Sequence, residues 1–402
     1  MPDHPENPAI RLLDGYFYVG EPLRHFRWMR EHAPVYWDES SRLWGIALYE
    51  DVMKISKSPE LFCSRMSSRP DSPPLPSMIN MDDPRHKLRR ALVNKGFTKR
   101  RVDDHETKIR RIVTELIDAV CEKGRCDFVR EIAAPLPMIV IGDLLGVLPE
   151  DRDRLLRWSE EMLAASTATA APALAERAAK AGLEYAQYAL RVIAGRRATP
   201  TDDLMSVLVH AEIDSQKLDD EALVHESLLI LVGGDETTRH VITEGMEALI
   251  RFPAQRDLLL RNPGKIPVAV EEMLRWVTPI KNMNRTATRD SLLRGQKIRE
   301  GDKLLLLYPS ANRDERVFRD PDVFDVERSP NDHVAFGGYG THFCLGASLA
   351  RLELRVMFEE LLRRLPDLQL ASEGPLPLRP NNFIAGVESM PVVFAPRAPE
   401  RR

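Results

Sequence analysis

Phe336-Gly337-Gly338-Tyr339-Gly340-Thr341-His342-Phe343-Cys344-Leu345-Gly346 is the stretch on which the reading of this sequence turns. Three glycines ahead of a lone cysteine make a tight loop whose backbone passes close to something flat or bulky, because glycine adopts positive φ without strain. Cys344 stands at the entrance to a helix predicted over residues 346–365. There, unpaired backbone donors and the helix dipole favour a negative sulfur, which predicts a lowered thiol pKa. Gly346 lets those donors come close. The ordinary alternative for any cysteine is a buried structural thiol, but the glycines and His342 weigh against it here.

A thiolate held by amide hydrogen bonds suits a strongly electron-donating axial ligand to haem iron. Upstream, apolar periodicity predicts helices over residues 103–122, 174–197 and 219–252, and Pro267 opens another that runs to Trp276. Strand signals are short and lie at residues 36–37, 43–48, 283–288, 304–308 and 391–395. Long helices with a few small strands predict a mainly α fold with small β-sheets. The Ser/Pro-rich residues 67–76 and the Ala/Thr/Ser-rich residues 164–173 read as lid-like loops rather than interdomain hinges.

Composition closes off other classes. The 57 basic and 61 acidic side chains nearly cancel, which excludes the electrostatic footprint of a nucleic-acid binder and of a polybasic membrane-surface protein. No apolar run approaches the ~20 residues a membrane span needs, and no basic-then-apolar leader opens the chain. Four cysteines in 402 residues are no disulfide framework, so a reducing, cytoplasmic setting is expected. Cys63, Cys121 and Cys126 lack metal-site company and read as structural.

In the long predicted helix stands Gly233-Gly234-Asp235-Glu236-Thr237-Thr238. Two mid-helix glycines cost roughly 1 kcal/mol each against alanine, which points to a ligand or a close neighbour. An acid followed by an alcohol can relay protons. Taken alone, the ordinary reading is that Glu236 is a solvated face and that Thr237 bonds back to the preceding turn.

The cysteine loop resembles the haem-binding signature of the cytochromes P-450, the haem-thiolate monooxygenases, a family known for cysteine-ligated haem. Here Gly337-Gly338 adds one residue between Phe and Cys, as in some actinobacterial members. The Gly233–Thr238 stretch matches the family's oxygen-activating motif, which implies that Glu236 and Thr237 are catalytic. Glu272 and Arg275 match its buried ion pair, joined by Arg328. The resemblance implies haem b on Cys344 and no other metal, with Phe336, Gly338 and Gly346 shaping its seat. It assigns His86, Arg90, Arg285 and His342 to the haem propionates. It spans residues 80–365 by motif, so one domain built around a cofactor is expected.

Several segments look closest to actinobacterial enzymes that hydroxylate the terminal methyl of cholesterol or cholest-4-en-3-one and can oxidise it on to the acid. Leu75, Met78, Ile79, Val232, Gly233, Met283 and Ile384 fall in the family's substrate-lining segments. Nearly all are aliphatic, as suits a large hydrophobic ligand. Methyl-branched lipids or a polyketide are the alternative substrates. No flavin or iron–sulfur signature is present, so the family analogy implies a ferredoxin and its reductase as electron donors to a monomer. Arg85, Lys87, Arg89, Lys99, Arg100, Arg101, Arg351 and Arg355 are the expected basic docking face.

Overall fold

The computed structural model describes residues 5–164 and 172–400. Residues 165–171, most of the second lid-like loop, lie outside this range. The architecture is mainly helical with small sheets.

Its axis is the long helix Asp220–Arg251, about 48 Å at 1.5 Å per residue. Asp219 caps it by accepting the Ala222 N–H at 2.8 Å. This helix packs against Pro135–Leu144, Pro172–Ala198, Ile266–Val277 and Ala347–Arg364, so it is enclosed on most sides. The two glycines fit that enclosure differently. A Cβ on Gly234 would stand 2.6 Å from the Ile141 side chain, whereas one on Gly233 would meet nothing within 4 Å. Gly234 therefore serves helix packing, Gly233 faces open space, and the helix continues unbroken through both.

The largest sheet has five strands, Val35–Asp38, Leu43–Ile46, Lys303–Leu307, Asn282–Ala287 and Phe62–Cys63, in that spatial order. Only Leu43–Ile46 and Lys303–Leu307 run parallel, with Gly45 opposite Leu305. Met283 and Arg285 sit two residues apart on one strand, so they share a face.

The ends of the helix Ile266–Val277 explain how the chain reaches that strand. Pro267 falls in its first turn, and Thr278 takes a left-handed φ of 43° at its end, which turns the chain into Pro279 and Ile280. Glu272 and Arg275, three residues apart on this helix, are both fully buried. Arg275 Nε and one terminal nitrogen each donate at 2.7 Å to opposite oxygens of Glu272, and Arg328 Nε adds a third contact at 3.0 Å. The Asp325 N–H and the Asn331 amide also donate to Glu272.

Among the described residues no helix is long and apolar enough to cross a membrane.

Candidate active site

The cysteine loop is built by close approach more than by torsion. Gly337 takes φ 96° and, unexpectedly, Tyr339 takes φ 55°, while Gly338 and Gly340 lie outside the left-handed region. Those two glycines are required by the helix Tyr49–Ser56. A Cβ on Gly338 would meet Ser56 Oγ at 2.3 Å, and one on Gly340 would meet Ser56 O at 1.8 Å. Gly338 thus packs against protein and does not border the cavity, contrary to its expected place in the cofactor seat. Tyr339 stacks on Phe343, with centroids 5.2 Å apart, which steadies the longer loop. Phe336 and Gly346 stay in the cavity wall.

The Cys344 N–H donates to Phe336 O at 3.0 Å, closing the loop. The thiol's exposed face is cavity wall. Burial pushes its pKa up, and it stays above the usual thiol value despite the Gly346 and Ala347 N–H groups and the Arg90 and Arg351 charges. The Gly346 and Ala347 N–H groups lower it, as the helix entrance predicts, but burial outweighs them. A coordinated metal ion, which deprotonates a thiol outright, removes that difficulty.

The cavity has a volume of about 230 Å3. Gly233, Gly234, Thr237 and Val241 line it from the long helix, across from Cys344. Met78, Ile79, Leu229, Ile230, Ile280 and Met283 make much of the remaining wall apolar. Three expected substrate-lining residues lie elsewhere. Leu75 is 55% exposed, on the outer side of its loop. Val232 is turned away from Gly233 by the helical rotation of about 100° per residue and does not border the cavity. Ile384 is buried behind the wall, bridged to Ile280.

Four cation-type side chains, His86, Arg90, Arg285 and His342, converge on the cavity. The two imidazoles lie 4.1 Å apart, Arg90 donates to Phe343 O at 2.5 Å, and Arg285 donates to Asn284 O at 2.8 Å. Burial, reinforced by Arg285, His86 and Arg90, pulls the His342 pKa down to about 2. Neither Arg90 nor Arg285 has a carboxylate ion-pair partner among the described residues, and His86 Nε2 is buried without a hydrogen-bond partner. Enclosed guanidinium groups call for an anion. A flat cofactor with paired carboxylates beside a cysteine ligand meets that requirement, so the residues present fit haem.

Glu236 is not a solvated face. It is fully buried, paired with Arg379 and Arg239, and does not border the cavity. Burial alone would raise its pKa, but His240, Arg239 and Arg379 together outweigh it and hold the carboxyl well below its usual value. Thr237 does border the cavity, and its hydroxyl donates back to Gly233 O at 2.9 Å.

The sequence reading missed Asp235, buried with Ser159 Oγ donating to it at 3.1 Å. It also missed Glu353, a buried cavity-lining acid whose pKa burial raises well above the usual range. Arg239 and His240 follow Glu236 by three and four residues and were legible as neighbours on one helix face. Arg379 is remote in sequence and was not.

Most of the expected docking cations are already engaged. Arg89 pairs with Glu226, Lys99 with Asp103, Arg101 with Asp202, Arg351 with Glu271, and Arg355 with Glu106 and Glu359. The basic face is therefore weaker than the sequence implies.

A cysteine facing a helix-roofed cavity with anion-seeking side chains at its edge defines a haem-thiolate protein. A family model described as Cytochrome P450 matches residues 266–387. A steroid C26-monooxygenase of Mycolicibacterium smegmatis is 52% identical over 393 residues, covering 98% of this chain and 98% of that protein. A methyl-branched lipid omega-hydroxylase of Mycobacterium bovis is 39% identical over 362 residues, covering 88% of this chain and 84% of that protein. A solved Mycobacterium marinum cytochrome P450 in complex with pseudoionone matches with TM-score 0.89 at 34% identity, over 98% of this chain and 100% of that one. The chain belongs to the cytochrome P450 family.

Proposed function

We propose that the protein hydroxylates the terminal side-chain methyl of a sterol such as cholesterol or cholest-4-en-3-one, with oxidation on to the acid as later turnovers at the same site. The observation that carries this reading is the 52% identity, across 98% of the chain, to a steroid C26-monooxygenase. The aliphatic wall of Met78, Ile79, Leu229, Ile230 and Met283 agrees with a large apolar ligand. The 39% identical methyl-branched lipid omega-hydroxylase supports a second reading in which the chain terminus hydroxylated belongs to a branched lipid.

Cys344 would ligate a haem b, with His86, Arg90, Arg285 and His342 meeting its propionates, and the bound haem supplies the oxygen-activating chemistry. No other metal takes part. The remaining work falls to the chain. The apolar wall excludes water and orients the substrate, and attack on an unactivated methyl in preference to weaker interior bonds is a matter of positioning. The Thr237 hydroxyl, facing the cavity, orders a proton there, and Glu236 provides it. Since Glu236 is clamped by Arg239 and Arg379, it must leave Arg379 to serve Thr237. Electrons come from a ferredoxin and its reductase, and the 402 residues act as one cytoplasmic, monomeric unit.

Titrating the purified holoprotein with cholest-4-en-3-one and with a methyl-branched fatty acid tests the substrate. The sterol is expected to shift the haem absorption at least about tenfold more tightly, a difference of ~1.4 kcal/mol. A shift by the branched acid alone sinks the sterol reading in favour of the second one.

Thr237→Ala is expected to raise the hydrogen peroxide released per electron consumed several-fold, with sterol binding retained. Unchanged coupling would remove Thr237 from proton delivery.

A further inference from the structure

If Glu236 is the proton source for the cavity, its complete burial raises the question of how protons reach it. The long helix carries Glu236, His240 and Glu244 at successive four-residue steps, so the three side chains stack along one face. His240 Nε2 lies 3.5 Å from Glu236 Oε2, and its Nδ1 lies 3.5 Å from Glu244 Oε1. Both gaps are a few tenths of an ångström beyond hydrogen-bond length. A displacement of about 0.5 Å per axis, ordinary for a well-ordered atom, closes them. Neither imidazole nitrogen is committed to another hydrogen bond. His240 and Glu236 are fully enclosed, and the Glu244 Oε1 that faces His240 is buried as well, but the rest of the Glu244 side chain is partly exposed (21% overall), so the row has its outer end next to solvent.

The strand Gly386–Val387 roofs this row. A Cβ on Gly386 would stand 2.1 Å from His240 Nδ1 and 2.6 Å from Glu244 Oε1. Any other residue there would force the imidazole and the carboxylate to move.

We propose that Glu244 and His240 carry protons from solvent to Glu236 along this face of the long helix. The inference rests on the proposed role of Glu236 and extends it by naming the supply. In one transfer, solvent protonates the Glu244 carboxylate. The Glu244 O–H then gives its proton to His240 Nδ1 while His240 Nε2–H gives its proton to the Glu236 carboxylate. One proton crosses, Glu244 returns to its anion, and His240 is left as the Nδ1–H tautomer, which resets when water gives a proton to Nε2 and takes one from Nδ1.

The surrounding charges set the resting state. Burial raises the Glu244 pKa to about 7, with Glu247 adding to it and Lys281, the Val387 N–H and Arg239 opposing. Burial lowers the His240 pKa to about 4, with Arg239 and Arg379 adding to it and Glu236 opposing, so the ring is neutral and able both to accept and to donate. Arg239 and Arg379 hold Glu236 ionised. A proton therefore waits at Glu244 and advances when Glu236 leaves Arg379 and its proton affinity rises. Above neutral pH Glu244 loses its proton and the supply falls.

The test compares the holoenzyme with its Glu244→Gln, His240→Gln and Glu236→Gln variants, supplied with cholest-4-en-3-one and electrons, between about pH 6 and pH 8. Wild-type coupling of electrons to product is expected to fall through a midpoint near neutral pH. Glu244→Gln should lower coupled turnover at least about tenfold at the acid end and flatten the profile, while the haem spectrum and the sterol-induced shift stay as in wild type. His240→Gln should do the same. A second readout needs no turnover: infrared titration of the ferric protein should show one carboxylic acid fewer titrating near neutrality in Glu244→Gln than in wild type, with the signals of Glu226 and Asp235, also raised by burial, left in both. If Glu236→Gln uncouples the enzyme but neither Glu244→Gln nor His240→Gln does, the relay is overturned and the role of Glu236 stands. If Glu236→Gln leaves coupling intact, that role fails and the relay with it. If the variants do not fold, a wild-type infrared titration with no carboxyl changing near neutrality overturns the relay on its own.

Discussion

Cys344→Ser is expected to abolish the thiolate-type carbon monoxide spectrum of the reduced protein and to bring sterol hydroxylation down to background. The substitution exchanges one sulfur for oxygen at a side chain whose free face is cavity wall. Backbone support is untouched, since the Cys344 N–H still donates to Phe336 O and the Gly346 and Ala347 N–H groups remain. Burial already raises the Cys344 pKa, and a hydroxyl in the same place is a far weaker acid than a thiol. The variant therefore presents a neutral oxygen where a thiolate is needed. Because no packing contact is lost, the thermal midpoint of the unliganded protein should move by no more than about 0.5 kcal/mol equivalent. Loss of spectrum with an unchanged far-ultraviolet dichroism and melt supports the ligand assignment. A serine variant that kept the thiolate-type spectrum would move the ligand to another residue.

The long helix was legible because its signals are local. The sequence predicts residues 219–252, and the structure has Asp220–Arg251 with Asp219 as the capping residue. The helix behind Cys344 behaves alike, predicted over 346–365 and observed at Ala347–Arg364. What could not be read depends on partners remote in the chain. Gly338 and Gly340 are glycines because Ser56 lies against them, and Gly234 because Ile141 does. Torsional reasoning alone assigned the loop glycines to positive φ, which only Gly337 of the three adopts. The net direction of the thiol pKa was not legible for the same reason, since the helix-entrance donors that lower it are visible in sequence and the burial that outweighs them is not. Of the substrate-lining residues, Met78, Ile79, Gly233 and Met283 reach the cavity, while Leu75, Val232 and Ile384 do not. Being in the right segment does not fix which face a side chain occupies. Glu236 shows the limit most clearly: Arg239 and His240 were predictable as its helical neighbours, but the ion pair with Arg379 places it away from the cavity.

Glu272→Ala is expected to be the most destabilising single substitution in the set. The carboxylate receives Arg275 through two nitrogens at 2.7 Å and Arg328 at 3.0 Å, and all three side chains are buried. It also accepts the Asp325 N–H and the Asn331 amide, so it ties the helix Ile266–Val277 to the irregular chain that leads to the cysteine loop. Its removal leaves two buried guanidinium groups without their counter-ion, a loss of ~3–5 kcal/mol in comparable buried pairs. Native stability is only about 5–15 kcal/mol, so a large part of the margin goes. Carbonyl oxygens soften the effect, since Arg275 also donates to Asn312 O and Pro321 O, and Arg328 to Arg319 O and Val323 O. Those contacts hold the arginines in place but neutralise no charge. Denaturant titration of the holoprotein should show a midpoint lowered in proportion, with haem lost early, because the cysteine loop loosens when its anchor does. Glu272→Gln keeps the shape and one acceptor oxygen while removing the charge, and it should fall between alanine and wild type. If alanine and glutamine cost equally little, the trio is held by its carbonyl contacts and the ion pair contributes nothing net.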